Sequence, residues 1–103
     1  MDTQLKRGLL EGAVLAALRH GDSYGYQIVK DVSPHVEISE STLYPILRRL
    51  GAAGLLVAYA EEHQGRLRKY YHLTEKGRER VAELAVELLE VEKAIKFIAG
   101  AEL

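Results

Sequence analysis

The hydrophobic period changes twice along this chain, and that change restricts the folds open to it. Up to Leu50 the apolar residues recur at steps of three and four. From Leu55 onward they alternate: Leu55, Val57 and Tyr59 against Leu56, Ala58 and Ala60, then Arg68, Tyr70 and His72 against Leu67, Lys69, Tyr71 and Leu73. Beyond Thr74 the helical step returns. A period of two marks a half-buried strand, and a longer one marks a helix face. His63-Gln64-Gly65-Arg66 separates the alternating runs and reads as a turn, with Gly65 supplying the unusual backbone angles. The predicted unit is a β-hairpin with a basic tip.

Three helices are predicted ahead of the hairpin. The first spans Leu5 to Leu18. Leu5, Leu9, Ala13 and Ala16 form one stripe, and Leu10, Val14, Ala17 and Leu18 form another, so this helix is buried on more than one side. Gly21 and Asp22 stop it. Asp22 or Ser23 can cap the second helix, Tyr24 to Val32, by accepting a backbone hydrogen bond. Ser33-Pro34 ends that helix, because the residue before proline is steered away from helical angles. Ser39-Glu40-Ser41-Thr42 is a cluster of capping residues ahead of the third helix, which turns Leu43, Ile46, Leu47 and Leu50 inward. Pro45 lacks an N–H and crowds the carbonyl four residues back. Either the regular helix begins near Ser41, or its first turn is distorted. Gly51 and Gly54 loosen its end.

After the hairpin, Thr74 is a good N-cap, and Glu75 suits the positive end of a helix. Val81, Leu84, Leu88, Val91, Ile95 and Ile98 then recur at alternating steps of three and four, a heptad seam sustained to the end of the chain. A monomer would expose that seam unless it packs on the chain's own first helix. Pairing with a second copy is the preferred reading, because both terminal helices, through Leu5 and Leu9 in the first, show surplus apolar faces. The expected organisation is one unit over residues 1–74 and a dimerisation helix over residues 75–103, together one compact body.

Composition narrows the function classes. A chain of 103 residues is one domain. It holds 48% apolar and 28% charged residues, as an ordinary globular protein does. No apolar run approaches the roughly 20 residues needed to span a bilayer. The start has no signal-peptide order, so the expected location is the cytoplasm, with no membrane partner. Cysteine is absent, which excludes disulfides, thiolate metal sites and cysteine nucleophiles. The net charge of −1 does not announce nucleic acid. Its distribution says more: residues 63–72 hold Arg66, Arg68 and Lys69 without an acid.

Helix, helix, helix, hairpin, long helix is the order of a winged helix-turn-helix, a mainly α fold of the α+β kind. Such a unit places its third helix in the DNA major groove, with the wing on the backbone or in the minor groove. The outer positions of the third helix are Ser41, Thr42, Tyr44, Arg48 and Arg49, with Ser39 in the cap before them. Hydroxyls can donate to phosphates or base edges, and arginine can grip guanine or phosphate. Arg48 and Arg49 lie near the helix end, which favours phosphate. In the wing, Arg66, Arg68 and Lys69 can neutralise phosphates. Tyr70 and Tyr71 alternate in direction, so one belongs to the core. Tyr71 beneath the wing with Tyr70 outward is one assignment, and the reverse is the other.

The stretches Gly21-Asp22-Ser23-Tyr24-Gly25-Tyr26-Gln27-Ile28, Ser41 to Leu50 and Gly65 to Gly77 resemble the PadR family of bacterial and archaeal regulators. The resemblance covers nearly the whole chain. It implies a winged helix-turn-helix with an extra N-terminal helix and a C-terminal dimerisation helix. It also implies repression of a nearby operon, in some members lifted by a small hydrophobic effector. On the same resemblance, Tyr24, Ser41, Thr42, Tyr44 and the wing basics fall where family members touch DNA. Gly51 stands where the family usually has an acidic helix former. A single helix follows the wing, which points to the short subfamily. The tryptophan on which some relatives stack flat drugs is missing.

Enzyme readings find little support. Tyr26 and Lys30 have the Tyr-x-x-x-Lys spacing of short-chain dehydrogenases, but no G-x-G-x-x-G accompanies them. His20, His35, His63 and His72 are scattered, with no helical i, i+4 pair for a metal. His63 and His72 are placed facing each other across the hairpin, and Glu61-Glu62 reads as a solvated strand edge. No cofactor, metal or catalytic residue is expected. The alternative to a DNA-binding regulator is a winged-helix module that binds a protein.

Overall fold

The structure, a computed structural model, describes residues 3–100. The predicted continuation of the last helix over residues 101–103 lies outside them, as do residues 1 and 2.

Helix α1 (Thr3–Ala17) turns Leu10, Val14, Leu15 and Leu18 into the core. The chain then departs from expectation. Ser23–Tyr24 is a short strand, β1, and α2 begins only at Gly25 (Gly25–Val32). Tyr24 caps α2 by its extended backbone alone, without a side-chain bond. Neither Asp22 nor Ser23 serves as the cap. The reason is tertiary: Ser23 and Tyr24 pair antiparallel with Tyr71 and Tyr70 of the wing, which draws them out of helical angles.

Helix α3 (Glu40–Ala52) starts one residue before Ser41 and carries Pro45 inside it. The Ser39 side chain accepts the Thr42 N–H at 3.3 Å, a cap worth about 1 kcal/mol. Leu43, Ile46, Leu47 and Leu50 are all buried. Gly54 does not loosen the helix end but closes it: at a φ of 78° it reverses the chain. The Leu55 N–H then returns to the Leu50 carbonyl at 2.9 Å.

Strands β2 (Leu56–His63) and β3 (Arg66–Leu73) form the wing, and the sheet order is β1-β3-β2. The two-residue turn has positive φ at both Gln64 (51°) and Gly65 (79°), which matches the right-handed twist of the strands. The register pairs His63 with Arg66 and His72 with Val57, so the two histidines do not face each other. Glu61 lies opposite Arg68.

Helix α4 (Glu75–Ile98) is capped by Thr74, whose hydroxyl accepts the Gly77 N–H at 3.0 Å. Its first turns close the core from below. Val81 is 6% exposed and belongs to the same cluster as Leu15, Ile28 and Leu73. Val81, expected on the dimer seam, is therefore spent within its own chain. Leu84 follows it, packed on the core beside Gly12 of α1. Only past this point does the seam leave the body of the protein, with Val91, Ile95 and Ile98 exposed.

Candidate nucleic-acid interface

The buried face of α3 fixes which of its side chains point outward. Ser41, Thr42, Tyr44 and Arg48 are exposed. Ser39 Oγ lies 3.0 Å from Ser41 Oγ and 3.1 Å from Thr42 Oγ1, so the three hydroxyls share one exposed cluster at the helix start. Arg49, near the helix end, is tied to α1. Its Nη2 donates to Glu11 Oε1 of α1 at 3.1 Å and its Nε donates to the same oxygen at 3.4 Å, which holds it to the domain body.

Between α3 and the wing runs an open groove of about 630 Å³, lined by Tyr44, Arg48, Lys69 and Tyr71 among others, with no acidic residue in its wall. Tyr71 is the inward member of the tyrosine pair, 5% exposed, and Tyr70 is the half-buried outer one. Burial pushes the Tyr71 phenol up, Tyr44 adds to the effect, and Arg48 opposes it. These three groups therefore sense one another across the groove floor. Tyr44 crosses toward α2, and its hydroxyl lies 2.6 Å from the point where a Cβ on Gly25 would stand. Only glycine leaves that space, which is how α2 allows Tyr44 its position.

The outer face of the wing holds a connected set of side chains that sequence reasoning did not join. Arg68 lies over the Tyr24 ring at 4.0 Å. Tyr24 meets Tyr70 edge to face, with centroids 5.7 Å apart. Tyr70 stacks on Tyr59 at the same 5.7 Å. The Tyr59 hydroxyl donates to Asp22 Oδ2 at 2.6 Å, and His72 Nδ1 lies 2.7 Å from Asp22 Oδ1. Tyr24 and Tyr70 thus brace the wing, and Arg68 borders a neighbouring hollow that it shares with Tyr24, Lys69 and Glu40. Lys69 is on the groove side, and Arg66 is exposed beside the turn. The signal for Tyr59 and His72 was present in the alternation. The partner, Asp22, lies 37 residues from Tyr59 and could not be assigned from spacing.

Of the expected dimer residues, Leu5 is 47% exposed and Leu9 half-buried on α1. Leu88 is half-buried on α4. Val91 and Ile95 are 39% and 42% exposed, and Ile98 is 81% exposed. Among the described residues, no cluster of three or more His, Asp or Glu side chains is placed to hold a metal ion, and no helix is long and apolar enough to cross a membrane.

Three helices, a two-stranded wing tied to a short third strand, and an exposed polar face on α3 define a winged helix-turn-helix protein. Residues 14–83 match the PadR-like family of transcriptional regulators, and the chain belongs to that family. The chain is 32% identical to a transcriptional regulator of Mycobacterium tuberculosis over 78% of its own length and 76% of that protein's. A crystal structure from Streptococcus mutans superposes with a TM-score of 0.81 at 43% identity, covering 93% of this chain and 92% of the other. Bacillus subtilis PadR, solved in complex with operator DNA, shares the fold with a TM-score of 0.68 at 24% identity, over 75% of this chain and 46% of that one.

Proposed function

We propose that this protein is a cytoplasmic, homodimeric repressor that binds double-stranded DNA at a palindromic operator. The observation that carries the reading is the groove between α3 and the wing whose wall holds no acid, with Tyr44 and Arg48 on the helix and Lys69 on the facing strand. A helix fits the major groove, and cations beside it neutralise phosphates. The operator complex of the fold-mate from Bacillus subtilis supports the class of partner. Ser39, Ser41, Thr42, Tyr44, Arg48 and Arg49 approach the DNA from α3 and its cap, Tyr24 and Tyr70 from the wing root, and Arg66, Arg68 and Lys69 approach the backbone from the wing. Residues 1–74 are the DNA-binding unit, and residues 75–103 supply the dimerisation helix through Leu88, Val91, Ile95 and Ile98. A twofold dimer sets half-sites roughly 34–36 Å apart or a multiple of that distance. A small hydrophobic effector relieves repression.

The test is fluorescence anisotropy with the DNA just upstream of the protein's own gene, across a salt series and against an unrelated fragment. Specific binding that weakens steeply with salt is expected. Replacing Arg66, Arg68 and Lys69 together by Ala should weaken binding to all sequences and flatten the salt slope. Binding that ignores salt and the wing would point instead to a protein partner.

A further inference from the structure

The groove beside the wing accounts for one flank of α3. The other flank carries a second set of cations, two of them on α1. There α1 and α3 border a cleft of about 580 Å³, whose wall includes Lys6, Arg7, Thr42 and Arg49 over a floor of Leu10 and Ile46. Arg7 Nε lies 3.6 Å, and Arg49 Nη2 3.1 Å, from one and the same Glu11 oxygen. Glu11 thus holds two guanidinium groups side by side while cancelling only one charge. Lys6 makes no ion pair among the described residues. Among the described residues, three cations stand against one carboxylate at this cleft.

The periodicity of α3 gives this placement a meaning. Thr42, Pro45 and Arg49 recur at steps of three and four on the side of α1. Tyr44 and Arg48 lie on the side of the wing. Cations therefore flank the helix on both sides. A helix seated in the major groove, about 12 Å wide, runs between two sugar-phosphate backbones. A domain with cations on one side only would meet one of them. We infer that Lys6, Arg7 and the Thr42 hydroxyl form a second phosphate-binding cleft, which grips the DNA strand across the major groove from the one Lys69 meets. The inference rests on the DNA-binding reading above and adds the contact made by α1. Ammonium and guanidinium groups donate charge-assisted hydrogen bonds to phosphate oxygens, and Thr42 adds a neutral donor. Because these contacts reach only the backbone, they fix how the helix sits in the groove and carry no sequence preference.

The test uses the full chain with Lys6→Gln and Arg7→Gln combined, and with Lys6→Gln alone. The single change leaves the Arg7 to Glu11 pair intact, so it separates lost phosphate contact from lost packing. Anisotropy is followed across a salt series on two duplexes of equal length, one from upstream of the protein's own gene and one unrelated. Each phosphate contact contributes about 0.9 to the slope of log K against log salt. The double variant should flatten that slope by about 2 and the single by about 1, equally on both duplexes, with an unchanged melting temperature. An unchanged slope, in a series where the wild-type protein binds with steep salt dependence, overturns this cleft and leaves the DNA-binding reading standing. A loss confined to one duplex also overturns it, since that is the mark of a base contact. A wild-type protein that shows no salt-dependent binding overturns both.

Discussion

The Tyr59 hydroxyl donates to Asp22 Oδ2 across 2.6 Å and so ties the outer strand of the wing to the turn ahead of β1. His72 Nδ1 meets the other carboxylate oxygen at 2.7 Å, so one side chain braces both long strands. Set at the root of the wing, this brace fixes the angle at which Lys69 and Arg66 are presented.

The brace has a pH signature. The Tyr59 hydrogen bond, and after it the His72 bond, hold the Asp22 carboxyl below its ordinary value of 3.8, with a smaller opposing push from burial. The same bond pushes the Tyr59 phenol up to about 12. A lowered carboxyl pKa gives stability that is present above the unfolded value and lost as pH falls through the folded one. A raised phenol pKa gives stability that is fully present below the unfolded value and lost as pH rises through the folded one. Tyr59→Phe should therefore be less stable than wild type at mid pH. The gap should close below pH 3.8 and again between pH 10 and about 12. Urea denaturation of both proteins across pH measures it, and a constant gap would assign the loss to another cause.

Gly25 and Tyr44 give a test of how the α3 face is set. In Gly25→Ala the new methyl would lie 2.6 Å from the Tyr44 hydroxyl and 3.1 Å from its ring carbon Cζ. The hydroxyl is the far end of a rotatable side chain, so Tyr44 should swing away at a stability cost under about 1 kcal/mol. DNA affinity should fall while the fold survives. In a Tyr44→Phe background the same glycine change should cost less, and a double-mutant cycle without coupling would argue against the contact.

Gly77 differs, because its neighbour cannot turn. A Cβ there would collide with the Leu55 carbonyl oxygen and lie 2.6 Å from Leu73 Cδ1. Relief requires shifting backbone where α4 meets the wing root. Gly77→Ala should destabilise the protein by about 3 kcal/mol or more, as overpacking of a tight core does. Thermal denaturation reads this directly, and a melting temperature near wild type would mean that α4 can slide.

The apolar face of α4 splits into two parts with different roles. Val81 is buried within its own chain, whereas Val91 and Ile95 are 39% and 42% exposed. Val81→Asp should unfold the domain, since it places an unpaired charge in the core. Leu88→Asp should keep the monomer folded and abolish self-association. Sedimentation at low concentration with circular dichroism separates the two, and a dimer that survives Leu88→Asp would require another interface.

Much of the candidate interface is legible in the sequence. Leu43, Ile46, Leu47 and Leu50 fixed the buried side of α3 by spacing, and so fixed Ser41 and Arg48 as outward. The hairpin followed from strict alternation around Gly65. Two readings failed for one shared reason. Tyr24 was placed in a helix and Val81 on a partner, but each is claimed by residues distant in sequence: Tyr70 and the core around Leu15.

What the sequence determined alone is the kind and order of its elements, because periodicity and caps act over a few residues. Alternation around Gly65 makes a hairpin, and Ser39 and Thr74 start helices, whatever else the chain does. Tertiary structure alone decided which side chains remained free to act. Asp22 became a brace instead of a cap, Lys6 and Arg7 came to flank α3, and Val81 and Leu84 of the apolar seam were consumed by the chain's own core. Those outcomes depend on distances between elements, and such distances are set only when the shared core closes.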